Sequence, residues 1–188
     1  MKGLSVLSEV EIPDSVKIDV NGSGNELIIS KGAILGDLYI RFNGKNNRIV
    51  IGENSKIIGR LLVENESQIF IGSKTTFERV AILAGEKGNV SIGHGCMFSY
   101  GITVRNSDAH SIMENGIRTN YARDVLIGDR VWVGAEVIVL KGAEIANNSI
   151  VGVRSVVTKS FPIEGSSIVG IPAKVIKTGL SWSRKLLD

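Results

Sequence analysis

The chain has 188 residues, a formal net charge of +3, 22 glycines, three prolines and only 5% aromatic residues. That length suits one domain with a buried core, and so slight a charge gives no argument for nucleic acid. Abundant glycine favours many short strands and turns over long helices, no apolar run reaches the ~18 residues of a membrane span, and a single cysteine excludes an internal disulfide or a thiolate-rich metal site.

The first residues, Met1-Lys2-Gly3-Leu4-Ser5, lack the apolar stretch of a secretory signal, so the cytoplasm is the expected location. Residues 1–24 are weakly patterned, with a strand-like alternation at Val16, Ile18 and Val20, and read as a starting cap. Coils then occupy 25–172. The apolar pairs Leu27/Ile29, Ile49/Ile51, Ile69/Ile71, Val90/Ile92 and Val125/Ile127 recur, their second members 22, 20, 21 and 35 residues apart. Asn25 and Asn47 stand ahead of the first two pairs. Four residues beyond each pair come Ala33, Ser55, Thr75, Cys96 and Val131, all small or modest. Repeats of this length bury only one another's faces, which is the mark of a solenoid. The long last spacing leaves on the order of 14 extra residues over one coil, within the polar stretch 105–123. Asn115-Gly116 marks a turn in it. Insertions of this kind become loops on one face, often the binding face.

From Ile127 onward the beat shortens to six: Ile127, Val133, Val139, Ile145, Val151 and Val157. A strand plus a tight corner, repeated, explains that period, and neither a helix nor strict alternation does. The residues four positions on are Val131, Val137, Ala143, Ser149, Ser155 and Phe161, small until the last. Gly128, Gly134 and Gly152 suit sharp turns of the backbone. The beat carries on to Ile163 and Val169, while Pro162 and Pro172 mark its end. Residues 173–188 form a C-terminal tail, extended or helical. From Arg154 onward six Lys or Arg face two acids, which suits either a phosphorylated ligand or an ordinary solvated surface.

The run Ile127-Gly128-Asp-Arg-Val-Trp132-Val-Gly134-Ala135, with Ser155-Val-Val-Thr158-Lys159 and Gly170-Ile-Pro172-Ala173-Lys174, resembles the hexapeptide-repeat acyltransferases. With the Asp108-Ala-His110 loop ahead of it, the chain is most similar to O-acetyltransferases of bacterial surface-polysaccharide synthesis, including the colanic acid type. The resemblance implies an all-β fold, a left-handed parallel β-helix, a homotrimer, and acetyl-CoA in the groove between subunits. It implies transfer of acetyl to a sugar hydroxyl, and Ala135, Val153, Thr158, Lys159 and Lys174 as cofactor contacts. Backbone groups at the first two would hold the pantetheine amides, and the lysines the phosphates.

Acetyl transfer from a thioester needs a base for the acceptor proton, and histidine titrates near working pH. His110 lies two residues after Asp108, so in an extended segment the carboxylate would orient the imidazole. On the residues alone, an idle loop histidine is an equal reading. The resemblance, whose catalytic histidine falls here, favours the base. His94 sits in a polar column with Lys31, Glu53, Ser73 and Asp129 and reads as a solvent-facing corner. Cys96, in the small column, reads as a buried thiol. Trp132 points outward, either beside the pantetheine arm or into a subunit contact. An N-acetyltransferase of an amino sugar needs the same base and remains the alternative. A three-histidine zinc enzyme of similar fold is implausible with two histidines, no metal site is expected, and a non-catalytic scaffold would not need the insertion.

Overall fold

Short apolar runs that end in a corner cannot fold back on themselves, so each pairs with the equivalent run one coil away. The computed structural model describes residues 2–186, and the regular elements in them are all β-strands. Eight strands, one per coil, build the first face: Leu4–Ser8, Asn25–Ile29, Arg48–Ile51, Gln68–Ile71, Asn89–Ile92, Val125–Ile127, Glu144–Ile145 and Ser160–Phe161. Neighbours are parallel and in register, Ile29 opposite Ile51, Ile51 opposite Ile71, Ile71 opposite Ile92 and Ile92 opposite Ile127. The second face stacks Thr76–Phe77, Met97–Phe98, Trp132–Val133 and Ile150–Val151. The third stacks Val80–Ala84, Ile102–Arg105, Ile138–Val139 and Val156–Val157. In the early coils the long strands Ile34–Lys45 and Lys56–Glu64 bend and serve both. The result is a parallel β-helix.

The inward columns fill its narrow interior. Ile29, Ile51, Ile71, Ile92, Val133, Val139, Ile145, Val151 and Val157 are all buried, as are Phe77 and Phe98, whose rings pack with centroids 4.6 Å apart. The small column is buried as well, and its polar members form a ladder. Ser55 Oγ donates to Gly72 O (2.9 Å), Thr75 Oγ1 to Gly93 O (2.8 Å) and Cys96 Sγ to Gly128 O (3.1 Å). Buried hydroxyls are costly without partners, and here each caps a corner carbonyl of the next coil. Asn25 and Asn47 do the same for amides: Asn25 Oδ1 accepts from Asn47 N, and Asn47 Oδ1 from Ser67 N.

Four sequence expectations change. The stretch expected to be a separate cap is, over its described residues 2–24, a first coil, since Leu4–Ser8 and Val16–Ser23 pair in parallel with Asn25–Ile29 and Ile34–Lys45. The glycines after the inward residues do not turn the chain. A Cβ on Gly93 would lie 2.6 Å from the Gly128 carbonyl carbon, so glycine is needed for close approach. The left-handed corner residues come two positions later, at Arg130, Glu136 and Arg154 with φ between 52° and 58°. The six-beat fails at Ile163, which is 56% exposed. Phe161 turns inward opposite Ile145 and Ile168 opposite Val151, so the last coil is shorter. The tail holds no helix among its described residues, 173–186, the last two lying outside them: Ala173–Lys177 runs antiparallel to Ser167–Gly170, and the chain then returns along the second face. There Trp182 Nε1 donates to Arg130 O (2.6 Å), and Arg184 donates to Cys96 O (2.7 Å) and Thr76 Oγ1 (2.9 Å).

Candidate active site

The insertion leaves the coil after Ile102–Arg105 and returns at Val125–Ile127. Its base is pinned by Asn106, which is fully buried and bonds the Gly85 backbone in both directions, at 2.8 and 2.9 Å. Asp124 Oδ1 accepts from Asn89 N at the return (2.8 Å). Between them, Met113–Glu114 and Ile117–Arg118 form a hairpin around Asn115 and Gly116, with φ of 50° and 80°. Positive φ at both central residues is what a two-residue hairpin turn demands.

Asp108 and His110 stand in this loop, but the carboxylate does not reach the imidazole. Lys141 Nζ and Asn120 Nδ2 (2.7 Å) both donate to Asp108 Oδ2. Among the described residues, the His110 ring makes no hydrogen bond. The same-side argument fails at Ala109, whose φ of 63° breaks the extended geometry it assumed. Asn120 supplies the link instead, since its Nδ2 also donates to His110 O (2.8 Å) and its Oδ1 accepts from Ile112 N (2.6 Å). The Lys141 ammonium first, and the Asn120 amide second, hold the Asp108 carboxyl below the usual carboxylate range. Glu86 on the coil clamps the other side. Ser107 Oγ donates to its Oε1 and the Arg118 guanidinium to its Oε2. The Ser107 hydrogen bond, ahead of Arg118, lowers the Glu86 pKa. His110 is exposed, at one wall of a cleft of about 410 Å³ that Arg41, Leu62, Leu83 and Arg105 also line.

Ala135 and Val153 occupy successive coils at the corner between the second and third faces, and Arg154 N donates to Ala135 O (2.9 Å). Among the described residues neither the Ala135 nor the Val153 N–H donates to another backbone group. Thr158 and Lys159 are exposed one corner further round, with Lys159 Nζ 5.7 Å from the Phe161 ring centroid. Lys174 is exposed on the antiparallel strand, opposite Val169. Neither lysine enters an ion pair among the described residues.

His94 is an exposed corner residue whose Nδ1 accepts from Ser73 N (3.0 Å). Trp132 is 39% exposed and packs against the chain's own Trp182, centroids 6.1 Å apart. Burial pushes the Cys96 thiol up to about 11. Lys141, Asn120, Glu86 and Arg118 escaped the sequence reading. Lys141 had a signal, since it stands three six-residue steps before Lys159. The others are polar residues with no repeat to mark them.

No family model matches the sequence. The chain is 39% identical over 183 residues to a polysialic acid O-acetyltransferase of Neisseria meningitidis, covering 96% of this chain and 85% of that one. The crystal structure of the polysialic acid O-acetyltransferase OatWY superposes with a TM-score of 0.79 at 31% identity, covering 98% of this chain and 92% of the other. That of the polySia-specific acetyltransferase NeuO gives 0.80 at 33%, covering 92% and 91%. The fold they share with this chain is the left-handed parallel β-helix.

Proposed function

The chain belongs to the polysialic acid O-acetyltransferase family, and on that premise we propose that it moves acetyl from acetyl-CoA to a hydroxyl of an acidic, sialic-acid-class surface glycan. His110 is the base. Its free ring nitrogen takes the hydroxyl proton as the oxygen attacks the thioester carbonyl, and the tetrahedral intermediate collapses to the acetyl ester. The CoA thiolate leaves and is protonated, so His110 returns to its neutral form. Asp108 is a positioning residue. It holds Lys141 and Asn120, and Asn120 holds the His110 backbone.

The donor lies along the Ala135–Val153 corner, its pantetheine amides on the N–H groups of those two residues and its phosphates near Lys159 and Lys174. Thr158 borders the same path. Three copies of the chain assemble around the coil flanks, and the groove between them holds the donor against the His110 loop. The cytoplasm, where acetyl-CoA is made, is the compartment this chemistry requires.

One observation carries the reading: the exposed His110 ring stands on a loop clamped at two points beside a cleft walled by Arg41 and Arg105. CoA release measured against polysialic acid, a neutral polysaccharide and an amino sugar tests it. Turnover with polysialic acid is expected. Turnover confined to the amino sugar would replace the O-acetyl reading by N-acetylation.

A further inference from the structure

We propose that the outward surface of the third face is an extended acceptor track, which grips several consecutive sugars of an acidic glycan on the way to His110. The inference rests on the acceptor reading above and adds where the chain lies and why its length matters.

Alternate residues of a strand share a face, and the register aligns them across coils. One outward column is Tyr39, Arg60, Ala81 and Thr103, and the next, two residues along each strand, is Arg41, Leu62, Leu83 and Arg105. Two clefts, of about 450 and about 410 Å³, open on these columns, the second ending at His110. Leu62, Ala81 and Leu83 make a half-buried apolar floor. Five arginines and three acids border the clefts, an excess of cations found beside the proposed base.

Glu86 holds Arg118 and Ser107 O accepts from Arg105 Nε (2.7 Å), but Arg41, Arg60, Arg79 and Arg105 all keep donor capacity that the chain leaves unused. Arg60 is exposed and lies 5.6 Å from the Tyr39 ring centroid, and among the described residues neither it nor Arg105 pairs with an acid. Arg79 reaches Asp37 only at 4.0 Å, with both side chains mostly exposed. Arg41 pairs with Glu64 (2.9 Å), yet its Nε is buried without a hydrogen-bond partner. A sugar acid presents an aliphatic ring face and a carboxylate, which match an apolar floor rimmed by planar guanidinium forks. Successive coils lie ~4.8 Å apart, and Arg41, Arg60, Arg79 and Arg105 stand one to a coil, so an acidic polymer laid across the coils meets a cation at each step. Each contact is weak, and linking them on one polymer gives the avidity.

The experiment uses polysialic acid fractionated into short and long chains, with acetyl-CoA saturating. For the unmodified protein, KM per chain is expected to fall about tenfold or more from short to long acceptors. The double variant Arg60→Glu, Arg79→Glu is expected to erase that advantage, raising KM for long chains with kcat little changed. Both side chains are exposed, so no cavity opens. Lys31→Glu, an exposed change away from the track, is expected to keep the length dependence. A KM independent of length, or a double variant that retains the advantage, would overturn the track while leaving the acceptor reading intact. A double variant with altered mass in light scattering would overturn it too, by making the face a subunit contact. If no chain length were acetylated, the acceptor reading itself would fall and the track with it.

Discussion

Lys141 Nζ lies 2.5 Å from Asp108 Oδ2, joining the rigid wall of the coil to the loop that carries His110. Lys141 is 17% exposed and Asp108 40%, so water screens the pair only in part. Asn120 shares the same carboxylate oxygen and holds the His110 carbonyl. The three residues therefore act as one clamp.

Lys141→Ala and Asp108→Asn should each lower kcat by about tenfold, because each loosens the loop without removing the base. Residues of one network do not add. The double variant should lose little more than either single one, and a double-mutant cycle on kcat measures this. Fully additive losses would mean that the two residues act separately.

The clamp has a defined pH response. The folded-state pKa of Asp108 lies below its ordinary value, as does that of Glu86. A depressed carboxylate contributes stability that is fully present above its unfolded pKa and is lost as pH falls through the folded one. Cleavage of the 105–123 loop by a protease active in acid should stay flat from pH 7 to about 5 and rise only below about 4. A rise centred between pH 6 and 7 would assign the loop's anchoring to another group.

Cys96 should resist alkylation. Its thiol is held near 11, and its sulfur is buried between Gly128 O and Val131 N. Iodoacetamide at pH 8 should label the unfolded chain readily and the native protein scarcely at all. Cys96→Ser should fold, because it keeps the donor of the Ser55 and Thr75 ladder. Cys96→Ala leaves the Gly128 carbonyl unpaired and should cost about 1–3 kcal/mol in denaturant unfolding.

Lys159→Ala and Lys174→Ala should each weaken acetyl-CoA binding severalfold in calorimetric titration. An exposed charge contact is worth on the order of 1 kcal/mol. Unchanged titration curves for both variants would place the phosphates elsewhere.

The solenoid was legible in the sequence because its interior is one residue wide. Each inward position must be apolar and each corner small, which writes the coil into Ile29, Ile51, Ile71, Ile92 and Ile127. The winding hand leaves no such mark and came from the resemblance. The insertion showed as a broken spacing, and His110 as a titratable residue within it. The clamp did not show, because Asn120 and Glu86 meet Asp108 and Ser107 through the path of a loop with no period. Phe161 misled for a related reason. A side chain too large for a corner takes an inward place on the face instead, and the count shifts with it.

His110→Ala tests the central claim most directly, with steady-state kcat on a polysialic acid acceptor read beside acetyl-CoA affinity and melting temperature. His110 is exposed outside the core, so affinity and melting temperature should hold while kcat falls by ~10²–10⁴-fold. His94→Ala, which removes an exposed ring that meets the Ser73 N–H and hydroxyl and the edge of Phe70, should stay close to wild type in turnover. Normal turnover in His110→Ala with an inactive His94→Ala would contradict the account and move the base to the corner of the coil.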